Sequence, residues 1–336
     1  MPTPPTDQRT RAALALPIAP DLLGEHDGAF RFEDLTAHPP GGAAWIAAAK
    51  GASALVAAPV VTLNRAVLSA LAPDLRLVSS FSAGVDYIDL DAARDLGIAV
   101  ANTGSHVAGP TAEITLLLIL AAARQVTGAL SAVKSGAWAN GQRQTPQGIT
   151  LSGRTLGIVG LGHIGREVAR RAAGFDMRII YHNRRPLAAD RAMGAQYCSD
   201  LDTLLAQADI VSLHCPLTAQ TRGMINTRTL ARMQAGAVLI NTARGELLDD
   251  VAVTEALESG HLAAAGLDVF ANEPRAHPYY MASDKVFTLP HIGTATPGAR
   301  RAMAAGALDN LARYFTGRDI PDLLVQGRPA EEERNR

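Results

Sequence analysis

Residues 155–165, TLGIVGLGHIG, run from an unbroken apolar stretch into three glycines spaced Gly160-x-Gly162-x-x-Gly165, and then into the helical pattern HIGREVARRAAGF. Few folds accommodate that juxtaposition. A strand that enters a glycine turn and leaves it as a helix opens a β–α–β unit, with the free amides of the helix N-terminus facing an anion. Gly160 permits the tight turn. Gly162 lets a pyrophosphate approach the backbone, beside the helix start at His163 and Ile164, and Gly165 lets helix and strand pack closely. In a chain with 30 glycines the spacing alone is weak. Its place between strand and helix gives it weight.

The rest of the chain repeats the same alternation. AALALPIA, ALVAAPVV, LRLVSSF and GIAVANT read as strands in the first part, followed by a helix from Thr111 to about Arg124. After the glycine turn come MRIIYHN (strand), DLDTLLAQA (helix, capped by Asp200), DIVSLHCP (strand), INTRTLARM (helix) and GAVLINTA (strand). DDVAVTEALESG (helix), LAAAGLDVF and KVFTLP (strands) follow, and a helix over residues 297–315 closes the pattern. Short apolar strands alternating with helices predict an α/β fold with doubly wound parallel sheets and right-handed crossovers. The ends, 1–10 and 327–336, are polar or Pro-rich and expected to fray.

Composition narrows the function. With 48% hydrophobic and 19% charged residues the chain can bury a large core. A net charge of −1 gives no basic field for nucleic acid. Cys198 and Cys215 are the only cysteines, too few for a disulfide framework, and no Cys/His cluster calls for a metal. The longest clean apolar run, 114–123, is too short to cross a bilayer. A cytoplasmic protein that meets no membrane is the expectation.

The strand after the glycine turn ends in His182-Asn183-Arg184-Arg185-Pro186. Sites for NAD place an acid near this point to hold the ribose 2′-hydroxyl. Here Asn183 is followed by two arginines, which can pair with a 2′-phosphate through forked, charge-assisted hydrogen bonds. NADP(H) is therefore the expected cofactor, with NAD(H) possible.

Three further strands each end in one reactive group: Arg244 in NTARG, Glu273 in GLDVFANEP and His291 in LPHIG. An arginine can hold the carbonyl or carboxylate of a small oxo acid. A histidine can exchange a proton with the oxygen, and a carboxylate can orient that histidine and favour its protonated form.

NTARG, LDVFANEP, LPHIG and GLGHIG, with residues 82–124 and HCPLTAQTRGMIN (214–226), closely resemble the signatures of the D-2-hydroxyacid dehydrogenase family. NRRP (183–186) makes the NADPH-dependent glyoxylate/hydroxypyruvate reductase branch the best match. The resemblance implies a Rossmann cofactor domain, 103–292, inserted into a flavodoxin-like substrate-binding domain made of 1–102 and 293–336. It implies Arg244, Glu273 and His291 as catalytic residues, with substrate held by Arg244, His291 and the amides of Ala83 and Gly84. On the cofactor side it implies Asp268, Thr242 and Ala243 near the nicotinamide and Cys215-Pro216 near the adenine, with Thr221 and Thr111 as further contacts. It also implies a homodimer built through the cofactor domain, with Trp138 reaching toward the partner. Two positions depart from the family: Gly104 stands where proline is common, and Gly109 where a polar residue is common.

The expected activity is hydride transfer from NADPH to glyoxylate or hydroxypyruvate, giving the D-2-hydroxy acid without a metal. Residues 56–59, read as a loop of small side chains, would line the acyl pocket without excluding bulkier 2-oxo acids. Phosphite oxidation uses the same three residues and is the alternative within the family. A dinucleotide-sensing protein, like the corepressors that share this fold, is the alternative outside catalysis.

Overall fold

The structure, a computed structural model, describes residues 7–141 and 147–328. The chain divides into two compact units: the first runs to Val107 and resumes at Pro297, and the second is Ala108–Thr296. Both borders fall a few residues beyond 102/103 and 292/293: the first lies inside the helix Gly104–Ala123, and the second at the start of the helix Pro297–Phe315. Most of the ends expected to fray lie outside the described residues. Where they are described, Thr10 already opens a strand, and Arg328 N–H donates to the Gly97 carbonyl at 3.0 Å.

The strands of the first unit are β1 (Thr10–Leu14), β2 (Phe30–Asp34), β3 (Ala54–Ala57), β4 (Leu77–Ser80) and β5 (Ala99–Ala101). Those of the second are β6 (Thr155–Val159), β7 (Arg178–His182), β8 (Gln196–Tyr197), β9 (Ile210–Leu213), β10 (Ala237–Asn241), β11 (Leu262–Leu267) and β12 (Val286–Thr288). After the last helix, Pro297–Phe315, β13 (Leu323–Val325) rejoins the first sheet.

The first sheet runs β2-β1-β3-β4-β5-β13, parallel except for β13 against β5. Its first five strands have the 2-1-3-4-5 order of flavodoxin-like sheets. The second runs β8-β7-β6-β9-β10-β11-β12 and is parallel throughout. This is the dinucleotide-binding order 3-2-1-4-5-6 with one strand added, and its direction reverses between β6 and β9. Such a switch point opens a crevice at the carboxyl ends of the strands, where the loops after β6 and β9 diverge.

Alternation along the strands builds a core on each face of the second sheet. Val159, Leu213, Leu239 and Leu267 pack on one face, and Ile158, Ile210, Val238 and Ile240 on the other. All are nearly or fully buried, as expected of strands covered on both faces.

Several elements depart from the expectation, among them the strand read as LAAAGLDVF, which ends at Leu267, and three more. FRFED (β2) escapes a reading by hydrophobicity because it is an edge strand with charges at alternate positions, and Glu33 pairs with Arg11 of β1. Residues 56 and 57 belong to β3, so only Ala58 and Pro59 are loop. The helix expected from Thr111 starts at Gly104 and carries Pro110 inside it. It is long and apolar enough to cross a membrane by length and composition, unlike the ten-residue run read from sequence. More than half of that stretch is buried in the protein, with Ala112, Leu118, Ile119 and Ala122 in the core.

Candidate active site

The glycine turn after β6 is built as its spacing implies. Gly160 has φ 101°, a left-handed backbone that side chains resist, and a Cβ there would lie 2.7 Å from Cys215 N. A Cβ on Gly165 would overlap the Gly160 carbonyl. Gly162 differs: no protein atom lies within 4 Å of where its Cβ would be. Its lack of a side chain therefore serves no packing within the chain. It leaves open the approach to the helix His163–Ala172, whose N-terminus has no side-chain cap. These residues fit the pyrophosphate of a dinucleotide.

The turn is braced from β7. Leu161 N–H donates to Asn183 Oδ1 at 2.7 Å, and Gly160 N–H donates to the His182 carbonyl at 3.0 Å. Asn183, placed by sequence at the cofactor, thus also holds the glycine turn. Arg184 and Arg185 are exposed, and no ion pair engages either among the described residues. Nearby, burial and then the like charge of Arg191 hold the Arg166 guanidinium below its ordinary pKa.

On the other side of the switch point a buried polar chain runs from β9 to the long helix. His214 Nε2 lies 2.8 Å from Ser212 Oγ, and His214 Nδ1 lies 3.5 Å from Thr242 Oγ1. Thr242 Oγ1 is 3.1 Å from Thr115 Oγ1, which donates to the Thr111 carbonyl at 2.9 Å. Burial pushes the Cys215 thiol up to about 11. Thr221 serves its own turn, donating to the Pro216 carbonyl at 2.7 Å and accepting from Thr218 N–H at 2.8 Å.

His214 was not singled out by sequence, where it reads as one more residue of the DIVSLHCP strand. Part of the residue's surface reaches solvent, but the ring is enclosed, and burial pushes it down to about 3. The unfolded chain would take up a proton near pH 6.5, well before the folded one does. The stability this neutral ring permits is therefore complete above pH 6.5 and is lost as pH falls toward 3, by up to about 1.4 kcal/mol per pH unit. Urea unfolding at pH 7, 5 and 4 should show His214→Gln losing less stability than wild type. Equal losses would mean that the ring is not held neutral.

The three reactive side chains all lie in the second unit. Asn241, fully buried at the end of β10, folds the chain beneath Arg244: its Nδ2 donates to the Arg244 carbonyl at 2.8 Å, and its Oδ1 accepts from Ala243 N–H at 3.0 Å. This asparagine is a second residue whose role the sequence did not disclose. Arg244 Nη1 donates to the Ala243 carbonyl at 2.7 Å, and its charge reaches Glu273.

Glu273 accepts from Phe270 N–H through Oε1 at 3.0 Å, and its Oε2 lies 2.7 Å from His291 Nδ1. Burial pushes the Glu273 carboxyl up, but the His291 and Phe270 hydrogen bonds and the charges of His291 and Arg244 outweigh it, and the carboxyl sits below its usual range. A charged carboxylate on Nδ1 requires the proton there and leaves Nε2 for a substrate oxygen.

His291 has φ 55°, a left-handed conformation that glycine, asparagine, aspartate and histidine visit more readily than other residues. Asp268 holds it there. Buried at the end of β11, its Oδ1 accepts Ile292 N–H at 2.8 Å and its Oδ2 accepts Gly293 N–H at 2.9 Å. Burial raises the Asp268 pKa, only partly offset by these two amides. Thr111 lies alongside, with Cγ2 3.4 Å from the point a Gly293 Cβ would occupy. In the first unit, Gly84 N–H donates to Ser82 Oγ at 3.2 Å, and the Ala83 carbonyl accepts from Asn102 Nδ2 at 2.7 Å.

Residues 116–293 match the family model described as D-isomer specific 2-hydroxyacid dehydrogenase, NAD binding domain. A glyoxylate reductase of Thermococcus litoralis is 41% identical over 259 residues, 76% of this chain and 78% of that protein. Dehydrogenase efuE of Hormonema carpetanum is 42% identical over 256 residues, 75% of this chain, and the chain spans only 63% of it. Among solved structures, a glyoxylate reductase from Paecilomyes thermophila has a TM-score of 0.85 at 35% identity, covering 98% of this chain and 100% of that one. An NADPH-dependent glyoxylate/hydroxypyruvate reductase from Sinorhizobium meliloti, in complex with NADP and malonate, has a TM-score of 0.81 at 28% identity, covering 96% and 99%. The family model spans the glycine turn and the three reactive residues, and the chain belongs to the D-2-hydroxyacid dehydrogenase family.

Proposed function

We propose that the protein is an NADPH-dependent reductase of short 2-oxo acids, glyoxylate and hydroxypyruvate foremost. The Glu273–His291 pair at 2.7 Å, in the same unit as Arg244, carries this reading. The dinucleotide, when bound, supplies the hydride. His291 holds a proton on Nε2 and gives it to the carbonyl oxygen, and Glu273 keeps the ring in the orientation that allows this. Arg244 holds the acid in this reading, and the Ala83-Gly84 amides are the further substrate donors that the family resemblance implies. Donors fixed in advance meet the charge that develops on the oxygen. The Gly160–Ile164 turn and Cys215-Pro216, Thr221, Thr242, Ala243, Asp268 and Thr111 line the dinucleotide in this reading. Initial rates with a panel of 2-oxo acids against both NADPH and NADH test it. No turnover with any of them would leave a dinucleotide-sensing role.

The choice of NADPH rests on Asn183, Arg184 and Arg185, and the relative from Sinorhizobium meliloti described as NADPH-dependent supports it. A hydrogen bond to a charged group contributes about 1.5–3 kcal/mol, and each 1.4 kcal/mol is about tenfold in affinity. Arg184→Ala should weaken NADPH by roughly tenfold to a hundredfold, while NADH binding hardly moves. NADPH affinity should also fall as salt rises. A wild-type preference for NADH at low ionic strength would reduce both arginines to surface charges.

A homodimer through the second unit completes the proposal. Leu117, Leu120, Leu130, Val133 and Trp138 are large apolar side chains left exposed on or just beyond two successive helices of that unit. A monomer mass in sedimentation equilibrium would remove it. Two free thiols, one of them buried, suit the reducing cytoplasm.

A further inference from the structure

The segment 183–187, which carries both arginines, leaves β7 as a loop, and both of its ends are tied by tyrosine hydroxyls. At one end, Tyr197 Oη donates to the Asn183 carbonyl at 3.2 Å; at the other, Leu187 N–H donates to Tyr181 Oη at 2.9 Å. The two tyrosines are partners in the β7–β8 pairing, with ring centroids 5.4 Å apart. Tyr181 is almost fully buried in the core, and Tyr197 is partly exposed. Between the tied ends, the Asn183 side chain holds the glycine turn through Leu161 N–H. The loop is thus fixed at 183 and 187, and only the arginines and Pro186 project from it.

Packing alone would be satisfied by phenylalanine at either position. The hydroxyls matter for the backbone they hold. We infer that Tyr181 and Tyr197 are positioning residues for dinucleotide choice, fixing the loop so that Arg184 and Arg185 are presented to a 2′-phosphate at little ordering cost. The entropy of ordering the backbone that carries them would otherwise be set against binding. The inference rests on the NADPH reading above.

The test is steady-state kinetics of Tyr197→Phe and Tyr181→Phe with NADPH and with NADH, beside Arg184→Ala. For each phenylalanine variant, KM for NADPH should rise about three- to tenfold, with kcat and KM for NADH close to wild type. NADH turnover in the same sample reports that the variant is folded. If Tyr181→Phe does not fold, Tyr197→Phe, altered at a partly exposed site, decides the matter. KM values for the two dinucleotides that stay put, or rise together, would overturn the positioning role while Arg184→Ala still lowers the preference for NADPH. If Arg184→Ala leaves that preference unchanged, the NADPH reading fails, and this inference fails with it.

Discussion

Replacing His291 should lower kcat by about 10²- to 10⁴-fold, the range expected when a general acid is removed from a reduction. The substitution must be chosen with the backbone in mind. His291 sits at φ 55°, where alanine is strained and asparagine is comparatively at ease. His291→Asn preserves the turn and removes the proton donor, whereas His291→Ala does both kinds of damage. Both variants should lose turnover to a similar extent, and both should keep dinucleotide affinity, measured by nicotinamide fluorescence, within about twofold. An asparagine variant retaining more than half the activity would take His291 out of the chemistry.

The second large effect is expected at Gly245, which makes no contact with substrate in the proposed arrangement. A Cβ there would overlap the peptide joining Phe270 to Ala271, so the turn after β10 and the segment before Glu273 approach as closely as backbones can. Gly245→Ala must push them apart. Overpacking of this kind costs about 1–3 kcal/mol, about 2–4 °C in Tm for each kcal/mol in a domain of this size. The displaced neighbours are Arg244 on one side and Glu273 on the other, and misplacing catalytic groups by about 1 Å can cost about a hundredfold. Calorimetry and kcat/KM should therefore fall together. A variant with wild-type Tm and wild-type kcat/KM would refute the close approach.

Much of the second unit was legible in the sequence, because its strands are apolar on both faces and its turns carry glycine or a capping side chain. Asp200, for example, accepts from Thr203 N–H at 2.7 Å, as a cap should. The glycine turn, Arg244, Glu273 and His291 were visible for the same reason: each follows such a strand, within six residues of its end. The first unit was harder. Its edge strand β2 hides behind Arg31, Glu33 and Asp34, and the long helix hides its first two turns behind Gly104 and Pro110. The supporting residues were harder still. Asn241, His214, Tyr181 and Tyr197 act through hydrogen bonds to partners that no spacing rule brings together, and only the folded sheet shows them adjacent.

The grip of Asp268 on the turn after β12 has a bearing on motion. Ile292 and Gly293 belong to a loop, the kind of segment whose amides ordinarily trade hydrogen with water quickly. Here both N–H groups end on one buried carboxylate anchored at the carboxyl end of β11, and the left-handed histidine is carried by the same three-residue turn. The backbone under His291 cannot relax to an ordinary conformation without both bonds opening at once. That makes the turn a cooperative latch, whose slow exchange would resemble that of the central strands and not of the surface loops around it. If His291 is the acid of the proposed reaction, the same latch keeps it in place between turnovers.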